Sequence, residues 1–268
     1  MLISVIVATK NEEKNIENCL KSIKSQTYPQ KKTEIVVVDN NSDDETKNVA
    51  EKYADFVFNC GPERSTQRNF GVNKSKGDWF IYLDADMMLS ENVIRECAEK
   101  VKNNSELVAL YIPEIITGRS FWSKVRNFER SFYNGTVIDG TRFISKEAFE
   151  KVQGFDEKLY AFEDWDLDNK LKGTGKFDII KSPIFHNEND FCLKKYLSKK
   201  KCYLGSFEEY RKKWGEKNQN IRKQFGFWYR FSGVFMENGK WKKIAAHPVL
   251  SLGIFFLRFL VGFNFLMK

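Results

Sequence analysis

The sequence is poor in histidine and in ordered cysteine. Its two histidines and five cysteines, Cys19, Cys60, Cys97, Cys192 and Cys202, include no CxxC pair. That scarcity argues against a zinc site and a disulfide framework, and it suits a reducing compartment. Glycine-rich phosphate loops are missing too. No GxGxxG follows the first apolar run, and "GTGK" at Gly173–Lys176 lacks the leading glycine and the Ser or Thr of a P-loop. A dinucleotide enzyme and a P-loop ATPase are thereby disfavoured. There is no internal repeat and no low-complexity linker. The opening run "LISVIVATKNEE" carries no basic leader and no small-residue cleavage site, so a strand is expected there and not a secretory signal.

What is present begins with charge. The net charge is +8, yet residues 190 to 243 hold fifteen Lys or Arg against five Asp or Glu, which leaves the remainder slightly acidic. Such a patch suits an anionic membrane surface or a nucleic acid. The stretch that follows, "IAAHPVLSLGIFFLRFLVGFNFLMK", favours the membrane, and no nucleic-acid partner is expected. Arg258 falls where a transmembrane helix would bear a high cost. A helix lying in the interface or packed on its own domain is therefore expected, with a span or a buried oligomer helix as alternatives. The oligomeric state is not fixed by the sequence.

The first half alternates between two periodicities. "ISVIVAT" and "EIVVVD" are continuous apolar runs, as in strands buried on both faces, while Ile16, Leu20 and Ile23 recur at helical spacing. Further helices are expected at 43–53, 64–75 and 90–103, and strands at "DFVFN" and "DWFIYLD". This order predicts an α/β fold with a mostly parallel sheet flanked by helices, and ligands at the carboxyl ends of the strands. Later, "ELVALYIPEII" and "GTRFIS" read as strands, and "RSFWSKVRNFERSFY" and "FEDWDLDNKLK" as helices. Beyond Asp190 helices dominate. The expected division is a catalytic domain at 1–190 and a helical, basic and apolar extension at 191–268.

Acids collect where ligands are expected. In "FIYLDADMML", strand alternation would point Asp84 and Asp86 the same way, about 7 Å apart. Two carboxylates facing one object repel unless a cation lies between them. They either hold a divalent metal or solvate a strand-to-helix turn, with Asp86 or Ser90 as a cap. Asp39 ends "IVVVD" and either makes an Asx-type turn or contacts a base or ribose. Arg68 either faces solvent or supplies a charge-matched nucleotide contact. Glu163, Asp164, Asp166 and Asp168 crowd one helix start, which exceeds what the helix dipole requires, so one of the first two is a candidate general base.

The ordered set "ATKNEE", "VVVDNNSDD", "QRNFGVNKSKGDWFIYLDADMML", "DGTRFISKEAFEKVQGFDE" and "FEDWDLDNKL" resembles family 2 of the inverting nucleotide-sugar glycosyltransferases, of GT-A fold, over roughly residues 1 to 190. The resemblance implies that Ala8, Thr9, Glu12, Asp39, Arg68, Asp84 and Ala85 hold the nucleotide. Asp86, Asp84 and His186 would hold Mn2+ or Mg2+, His186 having a structural role as its alternative. It implies Asp164 as catalytic base and Glu163, Trp165, Gly140 and Thr141 on the acceptor side. Lys10 and Asn40 depart from the pattern. The implied activity is transfer from a UDP- or GDP-sugar to a hydroxyl of a lipid-linked or cell-surface glycan, at the inner face of the cell membrane. A Glu-Asp pair argues for a hydroxyl acceptor over polyprenyl phosphate, which needs no deprotonation. A polyprenyl-phosphate sugar synthase, a nucleotidyltransferase and a non-catalytic binding module are the alternatives.

Overall fold

The computed structural model describes residues 1–215 and 217–266. The chain forms two compact units, one of residues 1–114 with 140–186 and one of residues 115–139 with 187 onward. In chain order the strands are β1 (Ile3–Thr9), β2 (Thr33–Asp39), β3 (Phe56–Asn59), β4 (Trp79–Asp84), β5 (Met87–Leu89), β6 (Leu107–Tyr111), β7 (Glu114–Thr117), β8 (Phe143–Ser145), β9 (Lys176–Ile179) and β10 (Ile184–Asn187). The helices of the first unit are α1 (Ile16–Lys24), α2 (Thr46–Ala50), α3 (Arg64–Lys74) and α4 (Val93–Asn103), then α6 (Lys146–Lys151) and α7 (Glu163–Leu171). The second unit holds α5 (Phe121–Arg130), α8 (Leu193–Cys202), α9 (Leu204–Trp214), α10 (Gln219–Phe225), α11 (Val234–Met236), α12 (Trp241–Ala246) and α13 (Pro248–Leu266).

The first unit is a seven-stranded sheet in the order β3-β2-β1-β4-β8-β6-β9. Strands β1 to β4 are parallel, and β8 runs antiparallel between β4 and β6. Val5, Val7, Ile35, Val37, Ile81 and Leu83 join one apolar layer, while Ile6, Val36, Val38, Phe80 and Tyr82 join the other. Burial on both faces is why these runs read as continuously apolar. Gly71 lets α3 lie close on the sheet, because a Cβ there would come within 2.4 Å of Ile6 Cγ2. After β1 the chain builds outward through β2 and β3 and then returns to β1's other side as β4. The reversal opens a crevice at the carboxyl ends of β1 and β4.

Several boundaries differ from the sequence expectation. Pro113 divides "ELVALYIPEII" into β6 and β7, since proline donates nothing to a strand ladder. The helix expected from Ser90 starts at Val93, and β5, pairing antiparallel with β10, takes up the residues before it. Neither Asp86 nor Ser90 is therefore a helix cap.

The second unit is helical, as the absence of convincing strands beyond Asp190 led one to expect. Its core includes Arg258 of α13, whose Nε donates to Glu129 at 2.8 Å and whose Nη2 donates to the Tyr133 hydroxyl at 2.7 Å. Glu129 also pairs with Arg126 at 3.5 Å. Burial works against its charge, but Arg258 and Arg126 outweigh that and draw its pKa down to about 2. Among the described residues no helix is long and apolar enough to cross a membrane.

Candidate active site at the carboxyl edge of the sheet

Register aligns the suspected residues. Thr9 lies opposite Asp39, and Ala8 opposite Asp84, so the ends of β2, β1 and β4 form one row. Gln67 of α3 fixes that row by donating to the carbonyls of Thr9 at 2.9 Å and Val38 at 2.7 Å. Asp39 accepts from the Ser42 amide at 2.8 Å and its hydroxyl at 2.5 Å, which is the turn the sequence allowed. A carboxylate has roughly four lone-pair positions, so those bonds leave acceptor capacity. The buried Thr9 hydroxyl has no hydrogen-bond partner among the described residues. Beside the row, Glu12 accepts from Asn15 at 2.7 Å. Burial raises its pKa, and Asp86 and Asp84 add to the effect, which places it in their field.

Asp84 does not face the same object as Asp86. The strand ends at Asp84 and the chain turns through Ala85 and Asp86 before β5, which breaks the two-residue alternation. Asp84 accepts from Arg68 at 2.7 Å and Arg64 at 3.3 Å. Burial would raise its pKa, but Arg68, Arg64 and Arg142 hold it well below the usual carboxylate range. Arg68 is buried, its guanidinium 4.7 Å from the Tyr82 ring centroid and 5.5 Å from that of Phe155. Its other arm donates to Glu163 at 3.1 Å, and Arg64 approaches Glu163 at 3.7 Å. Arg68 is thus an internal tie between the end of β4 and the start of α7, so the expected nucleotide contact does not fit its burial. Arg64, one turn earlier on the same helix face, is the more exposed of the two.

Asp86 turns toward β10. Its Oδ2 lies 3.2 Å from His186 Nε2, and His186 Nδ1 lies 2.9 Å from Glu114. Burial alone would lower the imidazole's pKa, but Asp86 and Glu114 raise it to about 10. Asp86 Oδ1 is buried and has no hydrogen-bond partner among the described residues. The orphaned carboxylate oxygen suits Mn2+ or Mg2+, whereas His186, charged and bonded to a carboxylate at each ring nitrogen, offers a lone pair only after losing a proton and one of those bonds. No group of three His, Cys, Asp or Glu among the described residues forms a closed metal cluster. A cation here would therefore draw further oxygens from a ligand. Asp84, already bonded to two arginines, fits the metal-ligand role poorly.

The remaining acids divide by burial. Glu163 is buried, and desolvation together with Asp164 raises its pKa against the pull of Arg64 and Arg68. Its partners are arginines, which argues against the acceptor contact expected of it. Asp164 Oδ1 accepts from the Trp165 amide at 2.9 Å, and its Oδ2 lies 3.0 Å from where a Cβ on Gly140 would stand, so a side chain there would crowd the carboxylate. Thr141 is fully buried and gives its hydroxyl to Asp168 at 2.6 Å, so it positions α7 and does not lie open to an acceptor. Asp168 also accepts from Tyr111 at 2.9 Å, and burial outweighs these bonds to push its pKa up to about 7. Phe162 precedes α7 in the left-handed region, φ 66°, with its ring stacked 5.1 Å from that of Trp165. That backbone carries strain of order 1 kcal/mol or more, which sites of chemistry commonly hold.

Residues 4–156 match the sequence model of glycosyl transferase family 2, more than half of the chain. The chain belongs to glycosyl transferase family 2. Within the family, it is 40% identical over 91 residues to glycosyltransferase AglE of Haloferax volcanii, a match covering 31% of this chain and 30% of AglE. It is 29% identical over 128 residues to the poly(ribitol-phosphate) β-N-acetylglucosaminyltransferase TarS of Staphylococcus aureus, covering 44% of this chain and 22% of TarS. The matched segments thus span under a third of either relative. A crystal structure of TarS 1–349 with UDP-GlcNAc superposes with a TM-score of 0.60 at 16% identity, covering 99% of this chain and 89% of that one. The mannosyltransferase PcManGT of Pyrobaculum calidifontis, in complex with GDP-Man and Mn2+, gives 0.65 at 17% identity, covering 99% and 87%. These structures share the GT-A fold of this family 2 chain.

Arg64, Glu114 and Arg142 were not singled out by sequence reasoning. Arg142 packs 4.9 Å from the Tyr82 ring and 3.7 Å from Glu114, and the charges of Asp84 and Asp164 act on it. Two signals were available: Arg64 and Arg68 are four apart on one helix, and Glu114 and Arg142 are charges inside otherwise apolar strand-like runs.

Proposed function

We propose that this family 2 chain is an inverting, metal-assisted glycosyltransferase that moves a sugar from a UDP- or GDP-sugar to a hydroxyl of a lipid-linked or cell-surface glycan. One observation carries the reading. Arg68 ties Asp84 to Glu163, which brings the turn bearing Asp86 and the helix start bearing Asp164 to one edge of the sheet. Two carboxylates are neutralised there by arginine, and two others are left for chemistry.

Asp86 would hold the cation through its unpartnered Oδ1, and His186 would join it as a ligand on giving up a proton. When bound, the cation supplies charge neutralisation to the donor's diphosphate as leaving group. Asp39, Thr9 and Ala8 form the nucleoside rim, where Asp39 retains lone pairs for a base N–H or a ribose hydroxyl. Asp164 receives the proton of the attacking hydroxyl, and attack from the side opposite the leaving group inverts the anomeric carbon. Gly140 leaves room beside that carboxylate. The phosphate-polymer acceptor in the name of TarS, and the Mn2+ in the complex of PcManGT, support the acceptor class and the metal. The basic 190–243 segment and α13 support a place at the inner face of the cell membrane, with the second unit as the membrane-associating part.

The test is release of nucleoside diphosphate from a panel of UDP- and GDP-sugars with manganese. One donor is expected to turn over, with Asp86→Ala reducing release at least tenfold. No binding of either nucleotide would favour a non-catalytic module, and released pyrophosphate would favour nucleotidyl transfer.

A further inference from the structure

Helix α13 is apolar on two opposite faces. Ser251, Gly253, Ile254, Leu257 and Arg258 face inward, where a Cβ on Gly253 would meet Val125 of α5 at 2.6 Å. Val249, Leu252, Phe256, Phe259 and Phe263 recur at intervals of three and four and are 50 to 71% exposed. At 3.6 residues per turn these five fall within an arc of about 80° diametrically opposite the inward set. A helix that is hydrophobic all round normally has apolar neighbours all round. Phe121, 45% exposed, and Trp122, stacked 6.1 Å from Phe256, widen the face from α5.

The one charge inside the helix does not disturb this face. Arg258 points the other way, onto Glu129 and Tyr133, so the argument that it forbids a span does not forbid insertion of the outer face alone. Around it the unit is basic: Lys242 and Lys243 are exposed on α12, immediately before α13, and Lys199 and Lys201 are exposed on α8. Trp228, Trp241 and Phe227 are exposed in the same unit, and aromatic side chains of this kind favour the headgroup region of a bilayer.

We propose that the outer face of α13, with Phe121 and Trp122, inserts in the plane of an anionic lipid surface, the helix lying along the membrane and not across it. The proposal rests on the membrane-side reading of the preceding subsection and names the residues that would carry it. Charge decides between a bilayer and a second copy of the chain. Two copies meeting through this face would bring like-charged lysines together, whereas anionic headgroups attract them.

The test uses the full chain with phosphatidylcholine vesicles, with and without added phosphatidylglycerol, scored by co-sedimentation. The wild type is expected to bind the phosphatidylglycerol vesicles. Phe256→Ser with Phe259→Ser is expected to weaken that binding about tenfold or more, with the melting temperature and nucleoside diphosphate release unchanged. Lys242→Glu with Lys243→Glu should weaken it less and remove the preference for anionic lipid. If the double serine variant melts early, Phe263→Ser is read in its place. Equal vesicle binding by wild type and serine variants overturns the proposal. So does a wild type that ignores both vesicles, and a dimer that the serine variant then splits would assign the face to a second copy. Nucleoside diphosphate release in the same samples keeps the readings apart. Its presence without vesicle binding sinks only the membrane side, and its absence sinks the donor chemistry whatever the vesicles show.

Discussion

Both units bury an arginine against aromatic rings and a carboxylate, yet the two networks leave opposite residues of charge. In the sheet unit Arg68 lies on Tyr82 and Phe155 and grips Asp84 and Glu163, with Asp86, Asp164 and Glu12 nearby. In the helical unit Arg258 lies 4.4 Å from the Phe235 ring and grips Glu129, while Arg126 and Arg230 add positive charge around Tyr133 and Tyr196. The surplus is acidic beside the first and basic beside the second. One device therefore serves two ends: in the first it fixes the segments that carry Asp86 and Asp164, and in the second it fixes a helix whose outer face is apolar.

The largest effect that sharpens this contrast is expected at Asp164. If it is the base, Asp164→Asn lowers transfer to a hydroxyl acceptor about 10³-fold while nucleotide affinity measured by calorimetry stays within a few-fold. Unchanged transfer to a polyprenyl phosphate acceptor in the same variant would replace the hydroxyl assignment by the phosphate one. Next is Arg68→Met, which leaves buried Glu163 and half-buried Asp84 to the more distant Arg64 and should cost about 3 kcal/mol in chemical denaturation. A variant as stable as the wild type would show that the tie is dispensable.

Glu129→Gln keeps the shape of the second network and removes its charge. It is expected to destabilise the protein by about 2 kcal/mol at neutral pH. The sign follows from linkage: Glu129 is an acid with a depressed pKa, so its contribution is present above about pH 4 and is lost as pH falls toward about 2. Denaturation curves at pH 6 and pH 3 should therefore converge for the two proteins at the lower pH. The smallest effect concerns Asp168, whose pKa is raised. Between about pH 4 and its folded value of about 7 the folded state holds a proton the unfolded state has released, so stability falls as pH rises through that window. Asp168→Asn should flatten that slope by up to about 1 kcal/mol per pH unit. A variant that keeps the wild-type slope would assign it to another group.

How legible these features were depends on how local their causes are. Strands β1, β2 and β4 were plain in the sequence because burial on both faces writes itself as an unbroken apolar run, and α1 because Ile16, Leu20 and Ile23 keep helical spacing. The row of Ala8, Thr9, Asp39 and Asp84 followed from where those strands end. The partition between Asp84 and Asp86 did not, because it depends on a turn at Ala85 and on His186, one hundred residues away. Short strands such as β5 and β10 carry too few residues to show a period. Arg68 is buried because Tyr82, Phe155 and Glu163 converge on it from three separate segments, and no window of sequence contains them all.

The central claim is that Asp86, and not its neighbour Asp84, is the carboxylate available to a cation. Calorimetric titration of manganese in the presence of the preferred nucleotide, on Asp84→Asn and Asp86→Asn, tests it most directly. The account predicts that Asp86→Asn weakens manganese binding by about 10- to 100-fold at an unchanged melting temperature. It predicts that Asp84→Asn lowers the melting temperature and leaves manganese affinity within a few-fold. Equal loss of manganese from both variants, with no loss of stability in Asp84→Asn, would contradict it.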